Sequence, residues 1–87
     1  MTSLPQTDLT KIPYIGKVGA QDLVNAGYPN IAALKGQDPE EVYLRDCLYK
    51  GYKDTKLALY VYRLAVAYAD NDGQLPPDKQ HWWNWKE

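Results

Sequence analysis

The chain has 87 residues, enough for one small domain that buries about 60–65% of its unfolded surface and too few for a second. Hydrophobic residues make up 45% of the sequence, and the aromatic residues are all Tyr and Trp, with no Phe. This composition favours a folded core over disorder. Lys and Arg number 10 against 11 acids, a net charge of −1, whereas committed nucleic-acid binders are usually strongly basic. Any affinity for DNA must therefore come from a local patch.

The first predicted helix begins at Ser3, with Gln6 at the capping-box position, and runs to about Thr10. A tight turn follows, and a second helix runs from Lys17 until Gly27 ends it. The expected inward face of that helix consists of Val18, Ala20, Leu23, Val24 and Ala26.

The turn between these two helices has the features of a phosphate-binding site. Pro13 fixes its own φ, and Gly16 allows a ligand to approach the backbone closely. The next helix begins with N–H groups that have no partner within the helix, and these suit an anion together with the helix dipole. Lys11 and Lys17 add positive charge on either side. The candidate binding residues are Lys11, Tyr14, Ile15, Gly16, Lys17, Val18 and Gly19, and the alternative is a purely structural turn.

Two more helices are predicted in the central part of the chain, between residues 30 and 51. A short one starts at Asn30 and ends at Gly36. The next has the clearest start in the sequence, since Asp38 is a capping residue and proline and two glutamates follow it. It ends at Gly51, and its expected inward stripe is Tyr43, Leu44, Cys47 and Leu48.

The last predicted helix is the longest and is capped by Asp54 or Thr55. One apolar face consists of Leu57, Val61, Leu64, Ala65 and Tyr68, and the other of Leu59, Tyr62, Val66 and Ala69. A helix that is apolar on two faces is expected to be central. After a turn at 70–73 the tail is expected to be extended. It carries Trp82, Trp83 and Trp85, either as a lid on the central helix or as a stacking surface, with Trp85 the likeliest of the three to be exposed.

The segment from Ile12 to Leu23 resembles the helix-hairpin-helix motif, which grips DNA through backbone N–H contacts to phosphates. With the continuation 31–36, 38–43, 61–66 and 82–85, nearly the whole chain resembles the small bacterial pathogenicity-locus family, some of whose members are labelled mitomycin-resistance-like proteins. Many DNA-binding hairpins carry glycine where this chain has Tyr14. The tyrosine could crowd a phosphate, or it could lay its ring against a sugar or a base.

These observations predict an all-α fold: a compact five-helix domain built on a helix-hairpin-helix, with an extended Trp-rich C-terminal tail. The whole chain, 1–87, is expected to form one domain. Its hairpin core is 4–36, its packing helices are 38–71, and its tail is 72–87.

The sequence gives little support for catalysis or metal binding. Cys47 is the single cysteine, which excludes an internal disulfide and favours a buried, reduced thiol. The one histidine, His81, has no second soft ligand with which to hold a metal. We therefore predict no enzyme, no catalytic residue, no metal and no cofactor. The sequence also lacks a secretory signal and a membrane span, so a cytoplasmic location with no membrane partner is predicted.

Two functional hypotheses follow. In the first, the chain is a non-catalytic module that binds the DNA backbone weakly and without sequence specificity, as an accessory to repair or stress response. In the second, it is a protein-protein interaction or self-association domain in which the hairpin is only structural. The first requires lysines to gather on one face, namely Lys11, Lys17, Lys35 and Lys50 or Lys53.

Overall fold

The computed structural model of the protein describes residues 8–86, and all regular structure in that range is helical. There are three α-helices: α1 (Lys17–Asn25), α2 (Pro39–Lys50) and α3 (Lys56–Asp70). Short 3-10 turns lie at Leu9–Lys11, Ile31–Leu34, Pro77–Lys79 and Trp82–Trp85.

The all-α prediction is confirmed, but the prediction of five helices is wrong. The first and third predicted helices are single 3-10 turns within the described range, because segments of three or four residues cannot sustain the hydrogen-bond ladder of an α-helix. Residues 3–7 of the first predicted helix lie outside the described residues.

The predicted helix boundaries in the centre of the chain are confirmed by their capping contacts. Asp38 accepts a hydrogen bond from the Glu40 backbone N–H at 2.9 Å, and the Thr55 side chain accepts one from the Ala58 N–H. Gly51 ends α2 with φ +79°, a left-handed conformation that glycine adopts without steric cost.

Helix α3 is the central element, as its two apolar faces predict. It packs against α2, against the Ile31–Leu34 turn and against the Trp82–Trp85 turn. Its buried residues are Tyr62, Leu64, Ala65, Val66 and Ala69. Helix α1 packs against α2 and against the Leu9–Lys11 turn. The buried apolar residues from this part of the chain are Leu9, Ile12, Ile15, Ala20, Leu23 and Ala26.

Three residues that were predicted to point inward instead face solvent. Val18 is 77% exposed, Leu44 58% and Leu48 80%. On α2 the inward positions belong to Val42, Tyr43 and the charged Asp46. The helix is rotated toward the polar residue because Asp46 has an ion-pair partner in the interior, described below.

The tail folds back onto α3 instead of remaining extended. Residues 74–76 form no regular structure, with Pro76 in an extended conformation, and then two 3-10 turns bring the tryptophans to the helix surface. Trp82 lies parallel to Tyr60 at a centroid distance of 6.4 Å, and Arg63 donates a hydrogen bond to the Trp85 carbonyl oxygen at 2.9 Å. Trp83, not Trp85, is the most exposed of the three indoles.

Candidate nucleic-acid interface

The turn before α1 is built on two buried isoleucines. The Ile12 N–H donates to the Leu9 carbonyl, and the Ile15 N–H donates to the Ile12 carbonyl at 3.1 Å. Both isoleucine side chains are buried in the core. The residues between and after them are therefore held at the surface in a fixed orientation.

Tyr14, at the tip of this turn, has φ +69°. A side chain in this left-handed region costs free energy on the order of 1–2 kcal/mol, so the surrounding structure must hold it there. Its hydroxyl is hydrogen-bonded to Nδ1 of His81 at 2.6 Å, and its ring meets the edge of Trp83 at a centroid distance of 6.2 Å. The tail thus supports the ring at the position where glycine would be free of strain.

Helix α1 starts without a side-chain cap. Its N-cap is Gly16, no acidic residue lies in its first turn, and both other α-helices have a capping side chain. At Gly16, φ is −94° and no atom lies within 4 Å of where a Cβ would stand. The N–H groups of the first turn are therefore approachable from solvent and lack an intrahelical acceptor.

The structure separates the seven predicted binding residues into two groups. Lys11, Tyr14, Gly16, Lys17 and Val18 are exposed. Ile15 is buried and its N–H is already used within the turn, and the half-buried Gly19 lies against it, with a Cβ position 3.4 Å from Ile15 Cγ2. The backbone donors left for a ligand are therefore those from Gly16 onward, one residue later than the sequence indicated.

Two of the expected lysines are engaged with acids elsewhere. Lys35 forms an ion pair with Asp72 at 2.7 Å. Lys50 is largely buried, and its Nζ lies 3.1 Å from Asp22, 3.2 Å from Asp46 and 2.7 Å from Asp54. Within residues 8–86, Lys11 and Lys17 form no ion pair. Lys53, the alternative to Lys50, also forms no ion pair within that range, so Lys11 and Lys17 are available at the turn before α1 but are not the sole unpaired lysines among the described residues.

The pKa values of two aspartates beside Lys50, Asp46 and Asp54, are shifted in opposite directions. Asp46 is only 1% exposed, and neither of its carboxylate oxygens has a well-directed hydrogen bond from the described residues. Burial, followed by the neighbouring Asp54 carboxyl, raises the pKa of Asp46 to about 6, although Lys50 opposes this shift. Burial also works to raise the pKa of Asp54, but the hydrogen bond from Lys50 prevails and lowers it.

The loop between α2 and α3 is tied to this charged cluster. The Asp54 N–H donates to Cys47 Sγ at 3.3 Å, and the Tyr43 hydroxyl donates to the Asp54 carbonyl oxygen. The cluster links α1, α2 and the loop between α2 and α3, which are the segments that carry its acids. Its role in the molecule is structural, because the Lys50 ammonium fills the space among the carboxylates.

A cleft of about 290 Å³ lies between the turn before α1 and the tail. We call it the hairpin–tail cleft; its walls include Tyr14, Tyr68, Leu75, Gln80 and His81. Gly73 gives the tail its sharp turn, with φ +82°, and a Cβ there would stand 3.2 Å from the Tyr68 hydroxyl. No local sequence pattern indicates this cleft, because its walls include residues 67 positions apart, Tyr14 and His81.

Other kinds of site find no support in the described residues. No group of three or more His, Cys, Asp or Glu side chains in the range 8–86 is arranged to hold a metal ion. No helix of that range is both long enough and apolar enough to cross a membrane.

Comparison with known proteins gives one match. The family model described as Cdd1, pathogenicity locus, covers residues 4–87. No curated protein and no solved structure matches the chain. Because the family model spans nearly the whole sequence, the chain belongs to the pathogenicity-locus family.

Proposed function

We propose that the protein is a non-catalytic helix-hairpin-helix module that binds the DNA backbone through the segment 11–19. One observation carries the proposal: α1 begins on an exposed glycine, with no side-chain cap and no acid in its first turn, between the exposed Lys11 and Lys17. Backbone N–H groups at such a helix start, with the helix dipole and two ammonium groups, are suited to a phosphate.

The chemistry of this surface favours binding without sequence preference. Phosphate contacts position a protein on DNA, whereas side chains that reach base edges read the sequence. Two lysines and a few N–H groups would engage about two or three phosphates, which gives a logarithmic salt slope of about −2 to −3 and weak affinity. The near-neutral net charge agrees with weak binding. An accessory role in DNA repair or stress response in the cytoplasm, as the mitomycin-resistance-like label of related proteins suggests, is part of this proposal.

Fluorescence anisotropy tests the proposal directly. Labelled duplex, junction and single-stranded DNA are titrated with the protein at low and at moderate salt. We expect saturable binding that weakens with salt, and we expect Lys17→Ala to reduce the magnitude of the salt slope by about 1 without changing any preference for sequence. Absence of binding at low salt, where charges are least screened, would contradict the proposal.

A second function is favoured by the outer surface of α2. Leu44 and Leu48 lie one turn apart on its solvent side, and Tyr49 is also exposed. An apolar strip of this kind is typical of an association surface. We propose a second copy of the chain as its partner, since a symmetric dimer would bring two α1 starts to one duplex. Sedimentation velocity of the wild type and of Leu48→Glu tests this: a dimer that dissociates in the variant supports it, and a wild-type monomer at high concentration contradicts it.

A further inference from the structure

We infer that the hairpin–tail cleft receives an unpaired nucleobase from the DNA strand whose phosphate lies at the start of α1. This inference rests on the proposed function and names its preferred substrate class: DNA that presents a bulged, frayed or single-stranded base. The cleft, its aromatic walls and its position beside the turn carry the argument.

The size and lining of the cleft suit a planar heterocycle. Its volume of about 290 Å³ lies at the lower end of the range for small-molecule sites, which suits a single ring system rather than a larger ligand. Tyr14, Tyr68 and His81 supply aromatic surface, and Leu75 supplies an aliphatic wall. Bases stack on such surfaces without regard to sequence, because every base has a π-face.

Polar atoms at the cleft can meet the edge of a base. Nδ1 of His81 is bonded to the Tyr14 hydroxyl, and Nε2 is the remaining ring nitrogen. The Gln80 amide nitrogen donates to the Leu75 carbonyl at 2.8 Å, so its Oε1 is the remaining amide atom. Apolar walls with a few polar groups are the usual pattern of a ligand site.

The position of the cleft connects it to the phosphate site. Tyr14 precedes Gly16 by two residues, so their Cα atoms are at most about 7 Å apart. A nucleotide can therefore reach both sites. This explains why a strained tyrosine occupies the tip of the turn: its ring forms a wall of the cleft, which glycine would not supply.

The other cleft beside Tyr14 is less suitable for a nucleotide. It has a volume of about 210 Å³, and Asp22 and Asp54 contribute to its walls. Although Lys50 pairs with both acids, it also pairs with Asp46, so three carboxylates surround one ammonium group. The excess of negative charge opposes the approach of a phosphate.

The test uses three labelled duplexes of equal length: fully paired, with one extra unpaired thymine, and with an abasic residue in place of that thymine. The bulged and abasic probes have the same number of phosphates and the same backbone distortion. We expect the wild type to bind the thymine bulge about tenfold more tightly than the abasic bulge, because only the former offers a ring to stack.

Two variants assign the effect to the cleft. Tyr14→Gly removes a wall of the cleft and also relieves the positive φ, so it is expected to fold. His81→Ala removes a second wall from the tail. Both should bind the thymine-bulge and abasic probes with equal affinity. The matched control, Tyr52→Gly, makes the same change at an exposed tyrosine outside the cleft and should retain the tenfold difference.

The outcomes separate the inference from the function on which it rests. If the wild type binds all three probes with equal affinity, the phosphate site stands and the base-binding cleft is refuted. If the tenfold difference persists in folded Tyr14→Gly and His81→Ala, base recognition lies elsewhere and the inference is again refuted. If no probe binds at low salt, both the proposed function and this inference are wrong.

Discussion

Lys50 and Lys17 show two different uses of the same side chain. Lys50 is largely buried among three carboxylates, which belong to α1, to α2 and to the loop before α3. Lys17 is exposed in the first turn of α1, where no acid accompanies it. Lys50 holds the helices together, and because three carboxylates neutralise its positive charge, it attracts an anionic ligand only weakly. Net charge is therefore a poor guide to binding here, because it counts Lys50, which three acids already neutralise, in the same way as the exposed Lys17.

The largest predicted effect is the loss of the interior ammonium group. Lys50→Met keeps most of the side-chain volume but leaves Asp46 and its neighbours without a counter-charge. We expect the free energy of unfolding to fall by about 3–5 kcal/mol. Denaturant unfolding measures this, with Lys17→Met as the control, expected to change stability by less than about 0.5 kcal/mol. Similar losses in both variants would contradict the distinction between the two lysines.

Trp82 and Trp83 differ in exposure, and we expect them to contribute differently to stability. Trp82 is less exposed than Trp83 and lies against Tyr60, whereas the Trp83 side chain is 50% exposed. We expect Trp82→Ala to lower the free energy of unfolding by about 2 kcal/mol, because it opens the contact between the tail and α3. Trp83→Ala should cost less than about 1 kcal/mol. Thermal and denaturant unfolding of the two variants measure the difference, and a reversed order would show that the tail is not a lid on α3.

A third prediction concerns pH. In the folded protein the pKa of Asp46 is raised to about 6 from 3.8, so the native state binds a proton more tightly than the unfolded chain does. The contribution of this group to stability is therefore present at low pH and is lost as pH rises from about 4 to about 6, a change of about 1–2 kcal/mol.

Asp46→Asn isolates this contribution, because the amide does not titrate. As pH rises from about 4 to about 6, the unfolding free energy of the wild type should fall relative to that of Asp46→Asn. Taking the difference cancels the carboxylates that do not interact with Asp46. Asp54 does interact with it and does not cancel, but its pKa is lowered from 3.8, so in the wild type it titrates below this pH window. A difference that is constant from pH 4 to 6.5 would refute the assignment.

The smallest predicted effect is at the exposed strip of α2. Leu48→Glu should change the unfolding free energy of the monomer by less than about 0.5 kcal/mol, since the leucine side chain lies mostly in water. Measurements at low protein concentration, where a dimer would dissociate, give this value. A large loss would show that Leu48 contributes to the core, as the sequence pattern first indicated.

The sequence predicted the parts of the fold that depend on local chemistry. The starts of α2 and α3 follow from Asp38 and Thr55, whose side chains form the expected caps. The inward face of α2 could not be predicted, because periodicity assigns apolar residues to the interior, and here Asp46 is buried through its pairing with Lys50. The i, i+4 spacing of these two residues was the available signal, but the same spacing is common on solvent-exposed faces.

The candidate site was likewise predictable only in part. The turn and the glycine start of α1 follow from the residues between Ile12 and Lys17. The use of the Ile15 N–H within the turn and the positive φ of Tyr14 are properties of the folded backbone. The contact between Tyr14 and His81 joins positions 67 residues apart, and no local pattern indicates such a contact.

The most direct test of the central claim compares Gly16→Asp with Gly16→Ala. An aspartate at this N-cap can accept hydrogen bonds from the same N–H groups that we assign to a phosphate, as Asp38 does at the start of α2. Its carboxylate should therefore keep or slightly raise stability, by a few tenths of a kcal/mol.

Unfolding and duplex affinity are measured on the same samples. The account predicts that Gly16→Asp is at least as stable as the wild type and binds duplex DNA at least about tenfold more weakly. Gly16→Ala should lose about 0.5–1 kcal/mol of stability, because alanine is a poorer N-cap than glycine, and should bind duplex DNA with an affinity close to that of the wild type. A stable Gly16→Asp protein that binds DNA with wild-type affinity would contradict the claim that the start of α1 holds a backbone phosphate.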